Sequence, residues 1–221
     1  MSKMKLKWIL LGVVLLAAPL WARERTGILA PPDVKKEQDL VMKTLMDGNK
    51  AHVKHIGKIG KPMVMVISCA DSHVPPETVF HLKTGEIFTN RAWGNMVDKV
   101  ILGSLEYGAD TLKCRVLVVL GHTECTALMQ AIEEHKNPRP LWRSLNMQDL
   151  NERLQPAVEA VTAKLEGEEL LDAVVRANVL NTMRTIREQS PALWQLEQDD
   201  MLKIVGAIYH KDTGVVEWLK E

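Results

Sequence analysis

Residues 63–73 read MVMVISCADSH, and residues 116–125 read VLVVLGHTEC. Each begins with an unbroken apolar run rich in β-branched residues, Met63 to Ser68 in one and Val116 to Leu120 in the other. Runs of this length, closed by turn residues, suit strands buried on both faces. Between them, Val97, Val100, Ile101, Ser104 and Leu105 recur at helical spacing over Met96 to Tyr107. Glu124 to His135 reads as another helix, and Glu86 to Asn90 as a weaker strand. Strands alternating with helices predict an α/β fold with a central, mainly parallel sheet flanked by helices. Toward the end, Lys203–His210 and Val215–Leu219 flank Lys211-Asp212-Thr213-Gly214, a hairpin signal that gives the sheet an antiparallel edge. Asn151 to Gln189 reads as mostly helical, with a break at Gly167. Asp33 is placed to cap a helix that carries Val34, Leu40, Val41 and Leu45 and ends near Gly48.

The chain has 221 residues, 46% of them hydrophobic, which is enough for one sizeable core and too apolar for a disordered chain. Lys and Arg number 28 and so do Asp and Glu, so a nucleic-acid binder working by phosphate neutralisation is excluded. The three cysteines, Cys69, Cys114 and Cys125, are too few for a disulfide scaffold. Residues 1–22 combine Lys3, Lys5 and Lys7 with an apolar stretch from Trp8 to Ala18, then Pro19 and the small Ala22. That is the layout of a secretory signal peptide, and its apolar part is shorter than the ~20 residues of a spanning helix. The expected organisation is therefore a signal peptide (1–22), a linker (23–32) containing Pro31 and Pro32, and a single α/β domain (33–221). The expected compartment is the periplasm or the exterior, with no stable membrane insertion after cleavage. Free thiols are uncommon there, which makes a metal the first candidate for occupying some of them.

The chemistry-bearing residues follow the two strong strands directly. Cys69-Ala70-Asp71-Ser72-His73 comes after the first, and Gly121-His122-Thr123-Glu124-Cys125 after the second. In open parallel sheets, ligands bind beyond the carboxyl ends of the strands. If the two strands are neighbours, Cys69, Asp71, His122 and Cys125 converge, and two thiolates, an imidazole and a carboxylate suit tetrahedral zinc. Plainer readings stand beside this one. A cysteine after a buried strand can be a small hydrophobe, Asp71-Ser72 can be a capping turn, and His122 can be a core histidine.

In VISCADSHVPPE (66–77), SLEYGADTL (104–112), VLVVLGHTECTAL (116–128) and VGAIYHKDTGVVEWL (205–219), the chain resembles the beta class of carbonic anhydrases. The likeness spans roughly Leu40 to Leu219. It implies one Zn2+ per subunit on Cys69, His122 and Cys125, with Asp71 either a fourth ligand or the residue that leaves zinc to admit water. It implies reversible hydration of carbon dioxide to bicarbonate by zinc-bound hydroxide, with Asp71 catalytic; His73, at the position of its arginine partner, is the second catalytic candidate. It also implies a homodimer or higher homo-oligomer, in which the helix from Asp33 to Val53 embraces the neighbouring subunit.

The sequence departs from the family pattern in three places. The family's Cys-x-Asp-x-Arg motif has His73 in place of arginine. Arginine is a permanently charged fork, whereas histidine titrates near neutrality and offers one bond direction per nitrogen. Asp71 is therefore expected to spend more time on zinc, with hydration impaired. The other possibilities at this position are that Arg91 reaches Asp71, or that His73 shuttles protons. Thr126 stands where glycine is usual, and Trp93 where a small residue is usual. Two further functions remain open: a non-catalytic or repurposed zinc protein of this fold, and a hydrolase of carbonyl sulfide or carbon disulfide. Cys114 is expected to serve packing.

Overall fold

The computed structural model describes residues 34–53, 60–138, 145–161 and 164–220. The expected signal peptide, linker and Asp33 cap lie outside the described residues. The chain divides into two units, one ending at Asn49 and the other starting at Lys50. Helix α1 (Val34–Val53) falls mostly in the first. It runs on past Gly48, where the sequence predicted its end, because an internal glycine costs a helix only about 1 kcal/mol.

The second unit is built on β1 (Val64–Ser68), β2 (Ile87–Arg91), β3 (Val116–His122), β4 (Lys203–Tyr209) and β5 (Val216–Trp218). They form one five-stranded sheet in the order β2-β1-β3-β4-β5. Pairing is parallel from β2 through β4, and β5 joins β4 antiparallel, as the hairpin signal predicted. The helices are α2 (Pro76–Val79), α3 (Lys99–Asp110), α4 (Thr126–Lys136), α5 (Leu145–Glu159), α6 (Gly167–Gln189) and α7 (Pro191–Gln198). Hydrophobic spacing announced neither α2 nor α7, and it placed the start of two others too early. Helix α3 begins at Lys99 rather than Met96 because the Asp98 side chain accepts from Val100 N at 3.0 Å and Ile101 N at 2.8 Å. Helix α4 begins at Thr126 because Glu124 holds a left-handed φ of 54°, which no α-helix contains.

Both faces of the central strands are buried, which is why their sequences are continuous apolar runs rather than alternating ones. On one face, Met65, Ile67, Leu117 and Val119 pack with Val174, Val175, Val179, Met183 and Ile186 of α6. On the other, Val66, Val118, Leu120 and Ala207 form a smaller core with Val74 and Ile87, overlaid by Val79, Phe80 and Leu82. Each fully buried aliphatic side chain contributes about 1.5–3 kcal/mol. Gly121 is needed where α6 crosses β3, because a Cβ there would lie 2.6 Å from Val179 Cγ2. Valine in a helix has essentially one χ1 rotamer and cannot swing aside. Arg176 of α6 also bonds Glu217 of β5 at 2.8 Å, fastening the helix to the edge strand.

Gly121→Ala is expected to cost about 1–3 kcal/mol through overpacking, read as a lower denaturant midpoint with an unchanged m-value. Glu217 is held below the usual carboxylate range, chiefly by the Arg176 hydrogen bond; burial opposes this slightly, and His210 adds to it. A carboxyl with a depressed folded-state pKa stabilises above its unfolded value of about 4, and that contribution is lost as pH falls through the folded value. Wild type should therefore lose more stability than Glu217→Gln between pH 5 and pH 3, measured by thermal melts across that range.

Candidate metal centre

β1 and β3 are direct neighbours, with Ser68 opposite Leu120 in parallel register. Their carboxyl ends therefore deliver Cys69 and His122 to the same end of the sheet, and the turn after β3 returns Cys125 to the start of α4. The ligand-capable atoms of Cys69, His122 and Cys125 all lie within 4.8 Å of one another, and all three residues are buried. Cys69 Sγ and Cys125 Sγ are 3.9 Å apart. Asp71 is not a member of this group; among the described residues, only those three form it.

The imidazole is oriented from behind. His122 Nδ1 donates to Thr123 O at 2.8 Å, which commits that nitrogen and leaves Nε2 as the one available to a metal. That Nε2 is buried and has no hydrogen-bond partner. An unpaired buried polar atom costs about 1–3 kcal/mol, so its placement beside two thiols fits a metal ion. Thr123 is itself anchored to the β4–β5 hairpin: its N–H donates to Tyr209 O at 3.0 Å, and its hydroxyl accepts from Lys211 N at 3.1 Å.

The two sulfurs divide their protons unequally: Cys69 gives its proton up readily and Cys125 keeps its own. Cys69 is held well below the ordinary thiol value, first by the Cys125 hydrogen bond; burial opposes this, and His122 and the backbone N–H groups of Gly94 and Asp71 assist it. Cys125 is pushed up by the same pairing and by its own burial. A dithiol that already favours one thiolate is prepared for a cation. Gly94 N donates to Cys69 Sγ at 3.2 Å. Glycine is required there, since φ is +81° and a Cβ would stand 2.8 Å from Leu154 Cδ2.

Asp71 is engaged beside this group. Its Oδ1 accepts from His73 Nδ1 at 2.9 Å and from His73 N at 3.3 Å. Thr126 Oγ1 lies 3.4 Å from Oδ2, and Trp93 Nε1 donates to the same hydroxyl at 3.0 Å. Burial works against ionisation of Asp71, but the His73 hydrogen bonds, with smaller help from His122 and Lys211, leave its carboxyl below the usual range. Arg91 does reach this loop, though not the carboxylate: Nε donates to Cys69 O at 2.9 Å and a guanidinium N–H to Asp71 O. It therefore pins the backbone of the loop, a role the sequence reading missed because main-chain partners leave no motif. Asn178 was missed for the same reason; its amide donates to Gly94 O at 2.8 Å, steadying the N–H donor to Cys69. Cys114 stands apart, buried, with Sγ 3.7 Å from Pro62 O, in the packing role expected of it.

A model of the carbonic anhydrase family matches residues 64–216, which take in β1 to β4 and all three of Cys69, His122 and Cys125. The chain belongs to the carbonic anhydrase family. The carbonic anhydrase of Mycolicibacterium smegmatis is 31% identical over 160 residues, covering 71% of this chain and 74% of that protein. Among solved structures, the Coccomyxa beta-carbonic anhydrase in complex with acetazolamide superposes with a TM-score of 0.63 at 24% identity, covering 86% of this chain and 88% of that one. A tetrameric beta-carbonic anhydrase from Sordaria macrospora superposes with a TM-score of 0.60 at 20% identity, covering 84% and 96%. This chain is thus a beta-class carbonic anhydrase in family and fold, and its Cys69–His122–Cys125 group could hold a metal ion.

Chelation is expected to destabilise the protein. At a free metal concentration of 100 times Kd, binding contributes about 2.7 kcal/mol, so stripping should lower the melting midpoint by roughly 5–10 °C. In His122→Ala the midpoint should barely respond to chelator, as checked by paired melting curves.

Proposed function

We propose that this carbonic anhydrase is a zinc enzyme catalysing the reversible hydration of carbon dioxide to bicarbonate. The observation that carries this reading is the buried, unpartnered Nε2 of His122 beside two paired thiols. Two sulfurs and one imidazole nitrogen are a familiar catalytic zinc set, with a fourth position left for water or substrate. When bound, zinc brings the pKa of water down to about 7 and so supplies a hydroxide nucleophile at neutral pH.

The protein's own residues do the remaining work. Cys69, His122 and Cys125 hold the ion, and the Thr123 carbonyl fixes the imidazole tautomer. Asp71, ionised and bonded by His73, is suited to accept a hydrogen bond from water and orient it. His73 lacks arginine's fixed charge and paired donors, so Asp71 is held less firmly than in arginine-bearing relatives and turnover is slower. His73 is well exposed, and its Nδ1 is committed to Asp71.

A homo-oligomer belongs to the same proposal. α1 carries exposed Leu40, Val41, Met42, Leu45 and Met46, an apolar surface of the kind that marks protein contacts. One of the structural relatives is described as tetrameric. The N-terminal segment supports export to the periplasm or beyond.

Stopped-flow hydration of carbon dioxide by zinc-loaded wild type and His73→Arg tests the reading. Zinc-dependent hydration is expected in both, about tenfold faster in His73→Arg, the gain of a bidentate charged pair over a single bond. Absence of hydration in both would overturn the activity, and equal rates would overturn the role given to His73. Sulfide release from carbonyl sulfide, with no carbon dioxide hydration, would reassign the substrate.

A further inference from the structure

The three positions at which this chain departs from its family's pattern, His73, Thr126 and Trp93, come from three separate segments, yet they are linked at one carboxylate, two of them directly and Trp93 through Thr126. His73 takes Oδ1 of Asp71 through its ring and its backbone N–H, at 2.9 and 3.3 Å. Thr126 faces Oδ2 at 3.4 Å. Trp93 sits behind Thr126, with its indole nitrogen 3.0 Å from the hydroxyl oxygen.

The chemistry fixes the direction of each bond. An indole N–H can only donate, so Thr126 Oγ1 accepts from Trp93. A hydroxyl carries a single proton, and with one lone pair engaged by the indole, that proton is left for an acceptor. The ionised Asp71 carboxylate is the acceptor in front of it. The run Trp93 to Thr126 to Asp71 is thus polarised throughout toward the carboxylate, and donors in series strengthen one another. At 3.4 Å the last contact is long for a hydroxyl–carboxylate bond, whose usual length is about 2.5–3.0 Å. Such contacts shorten when a site is loaded. Thr126 is also the first residue of α4, directly after Cys125, so its position is set by the same turn that places a sulfur of the metal-capable group.

We propose that Thr126, oriented by the Trp93 indole, is a positioning residue for Asp71: it holds Oδ2 while His73 holds Oδ1, and together they keep the carboxylate off the metal. The proposal rests on the zinc reading above. It makes the three departures a single replacement, in which two weak donors on opposite oxygens stand in for one bidentate donor. A carboxylate fixed at one oxygen can pivot about that bond, whereas one fixed at both cannot.

The test separates clamp from catalysis by reading the open metal position directly. Cobalt(II)-loaded wild type, Thr126→Val, Thr126→Ser and Trp93→Phe are titrated with thiocyanate, following the visible absorption of the ion. If the clamp is lost, Asp71 competes for the position that the anion needs. Thr126→Val, which keeps the shape and removes the hydroxyl, is expected to bind thiocyanate about three- to tenfold more weakly than wild type, in line with the net contribution of one ordinary hydrogen bond. Thr126→Ser should restore wild-type binding, and Trp93→Phe should fall between. Wild-type affinity in Thr126→Val overturns the proposal. So does equal weakening in Thr126→Ser and Thr126→Val, because packing alone would then be responsible. The titration does not depend on turnover: wild type that binds thiocyanate but fails to hydrate carbon dioxide would remove the assigned activity while the Val and Ser comparison still decides the clamp.

Discussion

The parallel pairing of β1 with β3 is the constraint on which the rest depends. Cys69 and Cys125 are separated by 56 positions in the chain, and only the alignment of Ser68 with Leu120 brings the ends of those strands level. A register shift would carry Cys69 away from His122 and turn every core side chain of β1 to the opposite face. The same burial that fixes the register therefore fixes the distance between the sulfurs. The apolar runs Val64–Ser68 and Val116–Leu120 thus act on chemistry as well as on stability, although none of the three metal-capable residues lies in them.

Around this pair the site is assembled from main-chain groups to an unusual degree. Gly94 N–H and Asp71 N–H face Cys69, Thr123 O receives His122, and Arg91 and Asn178 grip the backbone of the supporting loops. Backbone donors cost little reorganisation when charge appears, because the fold has already set their direction. Side-chain flexibility enters mainly at Asp71, whose two oxygens are held by groups from different segments.

The strands were legible because β-branched runs ended by turn residues have few other readings, and the candidate ligands were legible because they immediately follow those runs. Helix starts were less so. Asp98 and Glu124 each interrupt a pattern that hydrophobic spacing alone would have extended. Helix α2 is only four residues long, too short to display a helical period. The eight-residue α7 did carry a signal in Ser190-Pro191, an N-cap followed by proline at the first turn, and Ser190 Oγ indeed accepts from Leu193 N at 3.2 Å. His73, Trp93 and Thr126 could each be singled out from the sequence, but their linkage at one carboxylate could not, since it depends on three loops packing together. Arg91 was foreseen as a neighbour of Asp71 and proved to bind its carbonyl instead.

The seat of His122 has a consequence for how the protein is made. Thr123 leans on Tyr209 and Lys211, the second of them 88 positions further along the chain and so synthesised well after it. A growing chain thus presents both sulfurs well before it possesses the hairpin that steadies the nitrogen ligand. The order of synthesis runs against the order of assembly, and over that interval the thiols are exposed to air and to cross-linking without the full cage that would shelter them. Cells that produce this protein have reason to keep it reduced, or supplied with metal, until the turn between β4 and β5 has emerged.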